Sequence, residues 1–214
     1  MKFPTICAVA VLALFGCVST ATPPVAEVSP PVVTDRSSVN PIAIERVVLQ
    51  LPPGHQNGAI GMGLLCIPHG VLAAGSFNSS NEEAVRIVHQ QFDAIGYPVT
   101  NPTNELFPTA ENDATVLRLA GRVTDVHNNV CFPMGGFGDL ANGSADALVS
   151  IEWQVYDTAK KTVVLKLSTD GFGKVSQTSQ PLNVADTLAV GMATRRFLAS
   201  PEFQSLARTL GPSG

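Results

Sequence analysis

Two neighbouring stretches alternate apolar and polar residues in the manner of β-strands buried on one face. Residues 148–156 put four apolar side chains, from Val149 to Val155, at every second position and polar ones between them. Residues 157–161 are polar and favour a turn, after which the alternation resumes over residues 162–168. The pattern predicts a β-hairpin.

Two other stretches have the spacing of amphipathic helices. In residues 79–96, apolar side chains recur every three or four positions before Gly96 and Pro98. These residues are Val85, Val88, Phe92 and Ile95. A second helix is predicted over residues 183–199, with Asn183 as its cap, and a short last helix over residues 200–211.

The remaining strands are shorter or less regular. Residues 42–51 and 116–123 are rich in Val, Leu and Ile and predict two further strands. Residues 125–143, with several glycines, are predicted to be a loop. Residues 58–75 are uncharged and glycine-rich, which favours two short buried strands around a turn at Pro68-His69-Gly70. The alternative for this segment is a hairpin that inserts into a membrane.

This order of elements predicts the α+β class. We expect a two-layer sandwich in which a mixed sheet of four to five strands carries two helices on one face. The length of 214 residues suits one such domain, over residues 42–211, plus a tail. Residues 17–41 are rich in proline and predict an extended tether.

Composition narrows the classes of function. Hydrophobic residues make up 45% of the chain, enough for a core, while charged residues make up only 14%. The net charge of −4 and the lack of a basic cluster argue against nucleic-acid binding.

The first residues have the features of an export signal. Lys2 precedes an apolar segment, residues 6–15, that is too short to span a bilayer. Leu14-Phe15-Gly16-Cys17 at its end resembles the lipobox of bacterial lipoproteins. The resemblance implies removal of residues 1–16, acylation of Cys17 and an address at the periplasmic face of the outer membrane, because Val18 is not Asp. Anchoring in the inner membrane, secretion, or an ordinary signal cut near Ala21 are the alternatives.

Export also bears on the cysteines. Cys7 leaves with the signal and Cys17 is acylated, so Cys66 and Cys131 remain in an oxidising compartment and predict a disulfide. Two free thiols, or a zinc site that adds His69 and His127, are the alternatives. No metal or cofactor is expected.

The whole pattern resembles a group of bacterial envelope domains. The group comprises the curli-secretion lipoprotein, the lipoprotein activators of peptidoglycan synthases and the amino-terminal domain of the Tol translocation protein. The matching residues are Phe92, Gly96-Tyr97-Pro98-Val99, Ala114, Leu119, Gly121, Val123, Val149, Val155, Asp157 and Val163. The resemblance implies a non-catalytic interaction domain beneath a lipid anchor.

Candidate contact residues are aromatic side chains near loops and helix ends, namely Tyr97, Phe107, Phe132 and Phe137. Neither a nucleophile motif nor a catalytic pair of carboxylates stands out, so we do not expect an enzyme. The sequence therefore predicts a lipid-anchored periplasmic accessory protein that binds an envelope protein, with its oligomeric state open. A subunit of an outer-membrane secretion or assembly complex, and a periplasmic hydrolase or metal-binding protein, are the alternatives.

Overall fold

The computed structural model describes residues 27–52, 54–73, 81–100, 117–137 and 140–209. In these residues the strands are β1 (Ile42–Leu49), β2 (Gln56–Met62), β3 (Ile67–Ala73), β4 (Val99–Thr100), β5 (Leu117–Phe132), β6 (Asn142–Asp157) and β7 (Thr162–Ser179). The helices are α1 (Asn81–Ala94), α2 (Pro181–Ala199) and α3 (Pro201–Thr209). The α+β class is confirmed, with seven strands in one mixed sheet in the described residues rather than four or five.

Strand β5 organises the sheet. It pairs antiparallel with β6 over nearly its whole length, and β7 pairs antiparallel with β6 beyond it. On its other side, β1 runs parallel to the first half of β5 and β2 runs parallel to the second half. Strand β4 then adds to β1, and β3 adds to β2.

The predicted loop over residues 125–143 is wrong in its first part, because β5 continues to Phe132. The ladder with β6 shifts register between Val123 and Asp125. Such a bulge moves every later side chain to the opposite phase, so the apolar alternation is interrupted although the strand is not. After the shift, the alternating positions Val126, Asn128 and Val130 are buried, followed by Cys131.

The helices cover one face of the sheet. Helix α1 packs on β1, and α2 packs across β6 and β7 and against α1. The predicted alternation of β6 is confirmed, since its inward side chains from Val149 to Val155 are all fully buried. The core also holds a group of aromatic rings in mutual contact, namely Phe92, Tyr97, Trp153, Phe197 and Phe203.

Helix α2 approaches β7 very closely. A Cβ atom at Gly173 would lie 2.0 Å from the backbone oxygen of Ala185, and one at Gly171 would lie 1.8 Å from that of Ala189. Two glycines on the strand and small residues on the helix therefore let the two backbones pack directly. The helix begins at Pro181 instead of after Asn183, because proline is well suited to the first helical position.

Part of the predicted tether lies on the domain. The Val33 amide donates to the Ile95 carbonyl at 2.8 Å, and the buried Asn40 donates to the Ala207 carbonyl through both its backbone and its side-chain nitrogen. Residues 33–41 thus join the fold at the end where β1 begins, which is also where β5 begins, because Ile42 pairs with Leu117. No helix in the described residues is long and apolar enough to cross a bilayer.

Candidate interaction site

The β2–β3 hairpin turns earlier than predicted. Its turn lies between Met62 and Ile67, where Gly63 and Cys66 adopt left-handed backbone conformations with φ of +75° and +50°. The Cys66 amide donates to the Gly63 carbonyl at 2.9 Å and closes the turn. The predicted turn residue Pro68 instead lies within β3, which is an edge strand in the described sheet and tolerates a residue without an amide hydrogen.

A disulfide fixes this turn to the end of β5. It joins Cys66 to Cys131 with their Cα atoms 5.4 Å apart, as the cysteine pattern predicts. The Gly63 amide also donates to the Phe132 carbonyl at 3.1 Å, so backbone and side chain hold the same junction. The alternative zinc site is contradicted at its two sulfur ligands, because both sulfurs are in the disulfide.

Bulky apolar side chains project into solvent beyond this junction. Leu64 and Leu65 on the turn are 81% and 85% exposed, and Phe137 on the loop after β5 is 83% exposed. We define the apolar tip by its exposed apolar members, which are Leu64, Leu65, Ile67, Met134, Phe137 and Leu140.

The two loops of the tip are packed together. A Cβ atom at Gly135 would meet Met62 at 3.4 Å and both Leu140 and Phe132 at 3.2 Å, so the loop after β5 rests on the end of β2. A cavity of about 440 Å³ opens between Phe132, Leu140 and the first turn of α2, where Leu182 lines it. The apolar surface therefore continues from the hairpin turn to the start of α2.

The hairpin turn and the first part of the second loop are free of formal charge, while Asp139 of that loop lies outside the described residues. Residues 56–73 and 130–138 contain no Asp, Glu, Lys or Arg. An exposed cluster of large apolar side chains without charges is uncommon on a protein surface and marks a contact site.

The four predicted contact residues differ in their exposure and in whether the structure describes them. Phe137 is exposed as expected, and Phe132 is partly buried against the core while it lines the tip cavity. Phe107 lies outside the described residues, as does the predicted acylation site Cys17.

The expectation that Tyr97 is a surface contact is wrong. Gly96, with φ of +74°, turns the chain back at the end of α1, and the Tyr97 amide donates to the Phe92 carbonyl at 3.0 Å. The ring then enters the core, where it is 2% exposed and its hydroxyl donates to the Asn40 carbonyl at 2.8 Å. Burial raises the pKa of the Tyr97 hydroxyl well above its usual value near 10.

Leu64 and Leu65 are exposed apolar residues that sequence reasoning did not select as candidate contacts. The uncharged stretch over residues 58–75 was the available signal, but an apolar run does not reveal which of its members the tertiary structure leaves exposed. With the turn placed at Pro68, both leucines are expected in a buried strand.

A cluster of three buried polar residues lies where β2, β5 and α2 meet. Asn57, Asn128 and Asp186 are fully buried, and the Asn128 side-chain nitrogen donates to the Asp186 carboxylate at 3.0 Å. Strand β2 lies close against β5 here, because a Cβ atom at Gly58 would be 1.6 Å from the Asn128 carbonyl oxygen. These contacts join β2 to β5 and β5 to α2, so the strand that carries the hairpin turn is tied to the helical layer.

His55 lies in the segment that connects β1 to β2. The His55 Nε2 lies 3.1 Å from the Asp125 carboxylate and 3.1 Å from the Val126 carbonyl, beside the bulge of β5. His69 lies on β3, His89 on α1 and His127 on β5. Desolvation lowers the pKa of His89. Within the described residues no three His, Cys, Asp or Glu side chains are grouped as a metal site would need.

The face of the sheet opposite the helices is polar. Arg122 pairs with Glu152 at 2.6 Å, and Arg118 pairs with Glu45 at 3.3 Å. Hydrogen bonds from Gln154 and from Arg122 lower the pKa of the Glu152 carboxyl. Charged side chains thus lie along the body of the sheet, whereas the hairpin turn has none.

Comparisons with known proteins give weak likenesses. No family model matches the chain, and no curated protein does. Among solved structures, protein XCC0632 from Xanthomonas campestris, of the DUF330 family, is 11% identical with a TM-score of 0.45 and covers 82% of this chain and 90% of its own. A PelC dodecamer from Paraburkholderia phytofirmans is 12% identical with a TM-score of 0.36, over 79% of this chain and 95% of that one.

A candidate lipoprotein from Caulobacter crescentus CB15 is 16% identical with a TM-score of 0.32, over 56% of this chain and 81% of that one. Identities and TM-scores this low do not justify assigning the function of any of these proteins to this chain.

Proposed function

We propose that this protein is a non-catalytic accessory protein of the bacterial envelope, anchored by lipid at Cys17, that acts by binding another envelope component through its apolar tip. The observation that carries the proposal is the tip itself. Leu64, Leu65 and Phe137 are each more than 80% exposed, on loops that the Cys66–Cys131 disulfide and the Gly63 backbone hydrogen bond hold in place. Large apolar side chains held outward by covalent and backbone restraints are typical of a binding surface.

The layout of the domain suits an anchored protein. Residues 33–41 lead into Ile42, which pairs with the first residue of β5, whereas the tip lies beyond the last residue of the same strand. Fifteen steps of about 3.3 Å separate Leu117 from Phe132, so the tip stands about 50 Å from the point where the tether enters. A lipid at Cys17 would then hold one end of the domain and leave the other end free to reach its target.

The alternative functions have less support. A subunit of a secretion or assembly complex is consistent with an exposed apolar surface, but the described residues offer no feature that specifies repeated assembly. A hydrolase or metal-binding protein needs convergent titratable groups, and the histidines instead lie on separate elements.

Two experiments test the proposal. The intact mass of the mature protein from its native envelope should correspond to a chain that begins at Cys17 and carries acyl groups. A mature chain that begins elsewhere without acyl mass would contradict the anchor.

For the tip, cells that lack the protein are complemented with a Leu64→Ser/Leu65→Ser variant, or with Leu188→Ser as a matched control on the exposed side of α2. We expect the control to correct the defect that the deletion causes. The tip variant should not correct it, although the two variants are equally abundant. Full restoration by the tip variant would refute a role for the tip.

A further inference from the structure

We infer that the apolar tip inserts into a lipid bilayer, so that membrane hydrocarbon is the component that it binds. This inference rests on the proposed function, since it identifies the target of the same surface.

The tip presents highly exposed apolar side chains from two separate loops. Leu64 and Leu65 are consecutive, and both are more than 80% exposed, while Phe137 projects from a separate loop. Consecutive side chains diverge from a turn, so a protein groove that receives one leucine leaves much of the other in water. A bilayer surrounds an inserted turn on every side and needs no matching shape.

Two described charges lie close to the disulfide, where they line one cavity with Cys66 and Cys131. Asp146 and Lys174 face each other across β6 and β7, two residues along β6 from Ser144, the partner of Cys131 in the ladder. Two residues of strand span about 7 Å. Apolar faces of peripheral proteins enter the headgroup and acyl boundary by about 5–10 Å. The hairpin turn can therefore enter to that depth before Asp146 or Lys174 reaches hydrocarbon, where charges are strongly disfavoured. Asp139, two residues after Phe137, lies outside the described residues.

The edge of the sheet is not suited to a protein strand or to a second copy of this chain. Strand β3 forms the edge beside the tip, and Pro68 stands at the end of this strand nearest the tip without an amide hydrogen to donate. Proline on an edge strand interrupts the hydrogen-bond ladder that strand addition requires. The tip is also already ordered by its disulfide, so insertion requires no folding step.

The test uses the full-length protein with vesicles that contain phospholipids brominated on their acyl chains, which quench tryptophan on contact. Leu65→Trp places a reporter on the turn and Phe137→Trp places one on the second loop. The native Trp153 is fully buried and serves as an internal reference, while Leu188→Trp is the matched surface control. Thermal melting of each variant confirms that it is folded.

We expect the reporters at positions 65 and 137 to shift to the blue and to be quenched severalfold more than the reporter at position 188. Equal quenching at the three positions would overturn the inference. In that case a failure of the Leu64→Ser/Leu65→Ser variant to complement would still support a tip that binds an envelope protein. If complementation also succeeds, the proposed function fails as well.

Discussion

The packing of α2 on β7 allows a quantitative prediction, because Gly173 has no room for a side chain. A Cβ atom there would lie 2.0 Å from the Ala185 carbonyl oxygen and 2.9 Å from the Ala189 amide nitrogen, whereas ordinary contact begins near 3.4 Å. Gly173→Ala therefore requires a separation of about 1.4 Å between backbones that cannot rotate away as a flexible side chain could.

The expected cost combines three contributions. Overpacking against backbone costs about 3 kcal/mol, at the upper end of its usual range. Withdrawal of the helix also weakens the 2.9 Å hydrogen bond from the Thr169 hydroxyl to the Ala193 carbonyl, a loss of about 1 kcal/mol. The lower entropy of the unfolded alanine chain offsets about 1 kcal/mol. We expect the free energy of unfolding to fall by about 3 kcal/mol, and the melting temperature by about 6–12 °C for a domain of this size.

The assay is urea and thermal unfolding followed by circular dichroism, with Gly70→Ala as the matched control. Gly70 also lies in a strand and has no heavy atom within 4 Å of its would-be Cβ. The control should keep or slightly raise the stability of the parent protein. A Gly173→Ala protein as stable as the Gly70→Ala protein would refute the close approach of α2 to β7.

Three further changes test other parts of the account. Replacing Cys66 and Cys131 by alanine together should lower the unfolding free energy in urea by about 4 kcal/mol, the loop-entropy value for a separation of 65 residues. Thr169→Val should cost about 1–3 kcal/mol in the same assay, because the buried Trp153 indole donates to the Thr169 hydroxyl at 2.8 Å. Raising the pH from 9 to 11 should lower the free energy of unfolding of both the parent protein and Tyr97→Phe. The loss should be larger for the parent protein, by about 1 kcal/mol.

The sign of the pH effect follows from burial. The folded state keeps the Tyr97 hydroxyl neutral because its pKa is raised, while the unfolded state ionises near pH 10. The stability that Tyr97 contributes is therefore complete below pH 10 and declines as the pH rises above it. Equal losses for the parent and for Tyr97→Phe would contradict this explanation. A cysteine double variant or a Thr169→Val protein with parental stability would contradict the corresponding contact.

The hairpin of β6 and β7 and the first two helices could be predicted because their burial follows a simple period. Each inward residue of β6 from Ala145 to Val155 is apolar, so alternation alone identifies the strand. The second half of β5 could not be predicted, because the register shift after Val123 and the polar residues around Asn128 disguise the strand. Asn128 is polar yet fully buried, which becomes intelligible only once Asp186 on α2 is seen beside it.

The candidate site was only partly predictable for a related reason. Cysteine usage predicts the disulfide, and the glycine-rich loop draws attention to Phe137. Sequence alone does not distinguish a leucine held outward on a turn from one buried in a strand, and so Leu64 and Leu65 are missed. The opposite error occurs at Tyr97, where a left-handed Gly96 sends an aromatic side chain into the core.

Site-specific photo-crosslinking in living cells is the most direct test of the central claim that the apolar tip is the binding surface. A photo-reactive amino acid replaces Leu65 or, as the control, Leu188, and covalent products are identified by mass spectrometry of both the protein and the lipid fractions. The account predicts abundant products from position 65 and few from position 188, with lipid as the main product if the tip enters a bilayer. Products that arise equally from both positions, or from position 188 alone, would contradict the account.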